Sequence, residues 1–128
     1  MPNSFRSFVA AIGLGLVALT AFAAELPFDK AGFDAALAQG KPVIVDFSAS
    51  WCPTCKQQKP IVQGLLQEKK LQPVTLFVAD FDTENDLKRQ LGVTMQSTFV
   101  VFKGGKEVGR STGQTQKQAI SALFDKAL

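Results

Sequence analysis

The chain predicts an α/β fold in which a central mixed β-sheet is flanked by helices on both faces. Two apolar runs of strand length, Pro42 to Ser48 and Val74 to Phe81, do not alternate with polar residues, as expected of strands covered on both sides. Segments of helical period surround them, which is the pattern of parallel strands joined by crossover helices. Two extended stretches, Thr98 to Lys103 and Glu107 to Ser111, meet at Gly104-Gly105 and add an antiparallel hairpin.

Each element has its own reason. Asp29 to Gln39 repeats with helical period, placing Phe33, Leu37 and the alanines on one side, and Gly40 ends it. Pro42 to Ser48 follows as the first buried strand. Lys56 to Lys70 is helical, with Ile61, Val62, Leu65 and Leu66 as its inner stripe, and Pro60 inside it should kink it. After the strand Val74 to Phe81, Asp82 or Thr83 caps a short helix that Gly92 closes. Beyond the hairpin, Thr115 to Ala127 is amphipathic and turns Ala119, Ile120, Leu123 and Phe124 inward.

The totals narrow the function. At 128 residues, with 46% hydrophobic and 20% charged residues, the chain fits one globular domain with a substantial core. A net charge of +3 without a basic block argues against nucleic acid as a partner. There is no histidine, which excludes Cys-His and Ser-His-Asp catalysis and histidine-ligated zinc.

The N-terminal segment reads as an export signal. Arg6 precedes an uncharged stretch from Phe8 to Ala24, and Ala21-Phe22-Ala23 offers the small residues that a signal peptidase reads. The expected division is a signal peptide over 1–23, cleaved after Ala23, and one domain over 24–128. An uncleaved membrane anchor is the alternative, since the apolar run approaches spanning length. Both place the domain in the periplasm or otherwise outside the cytoplasm.

The chemistry lies in Trp51-Cys52-Pro53-Thr54-Cys55. The two cysteines are the only ones in the chain and follow a strand at the spacing of a redox dithiol. One thiolate can attack a disulfide while the other lies near enough to resolve the mixed disulfide. A structural staple is the plainer reading, but so short a loop would contribute only about 2 kcal/mol by chain entropy. A dithiol outside the cytoplasm stays reduced only if something reduces it.

With those residues in place the chain resembles the thioredoxin family over nearly all of its expected mature length. The resemblance rests on Val45-Asp46-Phe47, Ala49, Trp51-Cys52-x-x-Cys55-Lys56, Pro60, Leu91-Gly92-Val93, Phe102-Lys103-x-Gly105 and Gly113. It implies a thioredoxin fold and no organic cofactor, the dithiol itself carrying two electrons. It further implies that Cys52 is an exposed nucleophile, Cys55 a more buried resolving thiol, and Asp46 a buried carboxylate that takes the proton of Cys55. Desolvation among apolar neighbours should raise the pKa of Asp46. Trp51, Pro53, Thr54, Gln96, Ser97, Thr98 and Gly113 would form the substrate surface.

Three departures from the family pattern are informative. Ser97 stands where the family usually has a cis-proline, and a cis bond before serine would cost about 3 kcal/mol, so a trans Gln96–Ser97 bond is expected. It would add an N–H and a hydroxyl close to the sulfurs, either of which could stabilise the Cys52 thiolate, and its presence puts the family's substrate geometry in question. Pro53-Thr54 replaces Gly-Pro between the cysteines and bears on redox potential. Val78 replaces a lysine that many bacterial relatives hold near the carboxylate, which should raise Asp46 further.

The expected function is therefore an extracytoplasmic thiol-disulfide oxidoreductase, acting as a monomeric disulfide reductase. Its clients would be exported proteins with oxidised cysteines, apocytochromes being one candidate class, and its electrons would come from a membrane thiol donor. Three alternatives stay open: a disulfide-donating oxidase, a dimer sharing a metal or iron-sulfur cluster through four thiolates, and a non-catalytic binding module.

Overall fold

The computed structural model describes residues 12, 13, 15 and 22–128, so most of the expected leader over 1–23 lies outside the described residues. Ten elements follow in order: β1 (Ala24–Pro27), α1 (Lys30–Ala38), β2 (Val43–Ser48), α2 (Pro53–Leu66), a 3-10 turn (Lys69–Leu71), β3 (Thr75–Asp80), α3 (Asn85–Leu91), β4 (Thr98–Lys103), β5 (Lys106–Thr112) and α4 (Lys117–Asp125). The five strands form one sheet in the order β1-β3-β2-β4-β5. β3 runs parallel to β1 and β2, whereas β4 is antiparallel to β2 and to β5. This is the expected mixed sheet with one strand added.

β2 is the central strand of the sheet, and its side chains alternate between two cores. Val43, Val45 and Phe47 face one side, with Phe33 and Ala36 of α1 and Leu87 of α3. Ile44 faces the other, with Val62, Leu65 and Leu66 of α2 and Ile120, Leu123 and Phe124 of α4. Edge-to-face phenylalanine contacts tie each layer to the sheet: Phe33 with Phe102 at 5.6 Å, and Phe99 with Phe124 at 5.2 Å. The same alternation that buries Ile44 turns Asp46 and Ser48 toward α2. The sheet thus aims a carboxylate at the helix that carries the cysteines.

The β4–β5 turn needs glycine at both central positions, with φ of 59° at Gly104 and 78° at Gly105. Three sequence expectations require correction. β1 was not expected; it is a four-residue strand with every residue exposed, so no burial pattern announces it. α2 starts at Pro53 rather than Lys56 and ends at Leu66, with Lys69 and Lys70 in a separate 3-10 turn. α3 begins after Glu84 with no side-chain cap, so neither Asp82 nor Thr83 caps it; the Asp82 carboxylate instead accepts the Trp51 indole N–H.

Candidate active site

Cys52 is the N-cap of α2. Its backbone is extended and its Sγ accepts the N–H of Cys55 at 3.1 Å, as an N-cap side chain satisfies an otherwise unpaired donor. Pro53 fits the first helical position because no N–H is needed there. One turn in, Cys55 reaches the same point in space. Both thiols are free.

Ser97 closes the site from the loop before β4. Its Oγ lies 3.0 Å from Cys52 Sγ and 3.1 Å from Cys55 Sγ, so one hydroxyl touches both sulfurs. The Gln96–Ser97 peptide is trans as expected, and Ser97 has φ 59° in the left-handed region that favours glycine. Backbone bonds hold it there: Ser97 N–H donates to Phe47 O at 2.8 Å, and Gly113 N–H donates to Ser97 O at 2.9 Å. An N–H at this position, which proline lacks, thus ties the loop to β2.

Electrostatics at Cys52 and at Asp46 run in opposite directions. Burial pushes the Cys52 thiol up, but hydrogen bonds from Cys55, from Ser97 and from the Cys55 and Thr54 backbone together bring it below the ordinary thiol range. Asp46 is raised to about 7, first by burial and then by the nearby negative charge of Glu25. Its Oδ1 is buried without a hydrogen-bond partner. Val78 lies directly beside it in the β2–β3 register and supplies no charge, as the sequence suggests. Asp46 and Cys55 line one open cleft of about 490 Å³, which also meets Glu25, Lys56 and Lys59. Lys56 and Lys59 border this cleft as exposed side chains.

The expected burial order of the cysteines is reversed. Cys52 is 1% exposed and Cys55 7%; both are buried in a small cluster with Ala49 and Phe81, and the Ser97 hydroxyl lies against both sulfurs. Trp51, next to Cys52 in the chain, is 55% exposed and Met95, in the loop that carries Ser97, 53%, so two large apolar side chains stand in solvent on the segments that bear the site. Pro53 and Gly113 are exposed, and Thr54 and Gln96 half-buried, on the same end of the sheet. Thr98 is turned inward: its hydroxyl donates to Met95 O and pairs with Thr112 Oγ1, both at 2.8 Å. It braces the loop rather than facing a client. Two further residues escape the sequence reading. Glu25 sits on the unforeseen strand β1, and Gln58 is a glutamine on a helix whose polar residues look solvated, yet it is buried. Among the described residues no cluster of three metal-ligating side chains occurs.

Comparison with known proteins agrees with this geometry. The thioredoxin family pattern matches residues 25–126. Thioredoxin from Chlamydia muridarum is 39% identical over 84 residues, covering 66% of this chain and 80% of its own. The bifunctional thioredoxin reductase/thioredoxin of Mycobacterium leprae is 35% identical over 92 residues; the chain spans 20% of that protein. In structure, Trxlp from Edwardsiella tarda superposes with a TM-score of 0.77 at 36% identity, covering 79% of this chain and 98% of that one. With its five-stranded mixed sheet, four helices and Cys52–Cys55 pair beside Trp51, the chain belongs to the thioredoxin family and is a thioredoxin-like thiol-disulfide oxidoreductase.

Proposed function

We propose that the protein is exported and reduces disulfides of extracytoplasmic proteins, with Cys52 as nucleophile, Cys55 as resolving thiol and Asp46 as the base. The observation that carries the assignment of roles is the N-cap position of Cys52 Sγ, where the Cys55 N–H and the Ser97 hydroxyl favour its thiolate. A client disulfide displaces the Ser97 hydroxyl from Cys52 Sγ. The thiolate attacks one client sulfur, the client S–S bond breaks, and the other client sulfur leaves as a thiolate. Asp46, whose pKa is about 7, takes the Cys55 proton through the shared cleft. The Cys55 thiolate then attacks Cys52 Sγ, forming the intramolecular disulfide and releasing the second client thiolate. A membrane thiol donor returns the two electrons.

Export is supported by the uncharged run from Phe8 to Ala24 and the Ala21-Phe22-Ala23 site; cleavage after Ala23 would leave β1 whole. A disulfide-donating oxidase is the second reading, because the bonds that favour the Cys52 thiolate also favour the reduced dithiol. Turnover of a protein disulfide by the domain over 24–128 tests the first reading. Cys52→Ser should abolish it, and Cys55→Ser should stop at a trapped mixed disulfide. Turnover surviving Cys52→Ser would refute the roles. Sequencing the secreted or periplasmic form tests export: an N-terminus at Ala24 is expected, and purely cytoplasmic protein that still begins at Met1 would refute it.

A further inference from the structure

Gln58 lies three residues beyond Cys55 on the same face of α2 and is 2% exposed. A buried amide is costly unless its polar atoms are paired, and an apolar residue would fill the same space without that cost. Gln58 Nε2 donates to Ser97 O at 3.3 Å and to Gln114 O at 2.9 Å. Both partners are carbonyls, which fixes the orientation of the amide. One side chain thus links the cysteine-bearing helix to the loops on either side of the β4–β5 hairpin.

The residue that it holds is strained. Ser97 occupies a left-handed conformation that a non-glycine residue keeps only when its surroundings enforce it. That conformation is what brings Oγ against both sulfurs. In the singly ionised dithiol, the hydroxyl can donate to the Cys52 thiolate and accept the Cys55 S–H at once. The disulfide has no thiolate and no S–H, so this bridge stabilises the reduced form alone.

We propose that Gln58 is a positioning residue that sets the dithiol–disulfide balance of the site by holding Ser97 Oγ between Cys52 and Cys55. This rests on the dithiol cycling as described above. The relevant exchange is protein dithiol plus glutathione disulfide giving protein disulfide plus two glutathione thiols, in which electrons and protons balance. Ser97→Ala should shift that equilibrium toward the protein disulfide roughly tenfold and raise the Cys52 pKa by about one unit, the scale of one hydrogen bond to a charged group. Gln58→Leu should act in the same direction by about threefold, because Ser97 keeps its two backbone bonds.

The deciding experiment is the double-mutant cycle, read by glutathione equilibration and by thiolate absorbance against pH. Gln58→Leu should have almost no effect on either readout once Ser97 is replaced by alanine. Gln58→Met, which keeps length and flexibility but removes the amide, gives the same comparison if Gln58→Leu does not fold. Parental equilibrium and parental Cys52 pKa in a folded Gln58 variant would overturn the proposal, as would an undiminished effect in the Ser97→Ala background. A parent protein that exchanges no disulfide with glutathione would refute the dithiol reading instead, so the two failures are distinguishable.

Discussion

Replacing Asp46 by asparagine should stabilise the reduced protein, and the gain should depend on pH. The Asp46 carboxyl is raised from 3.8 to about 7, chiefly because folding removes it from water. The folded state therefore holds the proton across a range in which the unfolded chain releases it. Stability from this group is fully present below pH 4 and is lost as pH rises through about 7. At about 1.4 kcal/mol per pKa unit, the full cost of ionising Asp46 in place is on the order of 4 kcal/mol. The asparagine amide cannot ionise and escapes that cost. Urea unfolding with a thiol reductant present should show Asp46→Asn more stable by up to that amount at pH 8, with the difference shrinking toward zero near pH 4. Glu25→Gln should leave most of the pH dependence in place, since burial outweighs the Glu25 charge. A stability difference that is flat between pH 4 and 8 would refute the reasoning.

Three other perturbations test separate parts of the structure. Ser97→Pro should destabilise by about 3 kcal/mol or more in thermal unfolding, because proline cannot adopt φ 59° or donate to Phe47 O; an unchanged melting temperature would mean that the loop is not held as described. Gly105→Ala should cost about 1–2 kcal/mol by urea midpoint, since its φ is 78° and an added Cβ would stand 3.0 Å from Leu37 O. Trp51→Ala should change stability by less than about 1 kcal/mol, because the indole is mostly exposed, while client reduction falls roughly tenfold. A large loss of stability with an unchanged rate would make Trp51 a packing residue.

The parts of this fold that the sequence reveals are those that obey a period. The runs around Ile44 and Leu76 have strand length and are nearly continuous in apolar residues, Asp46 being the polar residue inside the first, and the stripe Val62, Leu65, Leu66 has helical spacing; Ile44, Leu76 and that stripe are buried as the pattern demands. The Cys52-x-x-Cys55 spacing, the Gly104-Gly105 turn and the departure at Ser97 are equally local signals. What escapes the sequence is set by distant partners. β1 is four exposed residues whose sole reason to be a strand is the open edge of β3. Gln58 looks like any polar helix residue, since its two carbonyl partners are 39 and 56 positions away. The covering of Cys52 is likewise invisible, because Ser97, 45 positions on, supplies it. A nucleophile inferred by family pattern is expected to be open; here the residue that replaces the usual proline places its hydroxyl against that sulfur.

The reduction potential of the Cys52–Cys55 pair, measured in the domain over 24–128 by equilibration with glutathione, tests the proposed direction of electron flow most directly. A value nearer thioredoxin's, about −270 mV, is expected of a protein that reduces client disulfides and must be recharged by a donor. A value near −120 mV, the range of a strong disulfide donor, would contradict it.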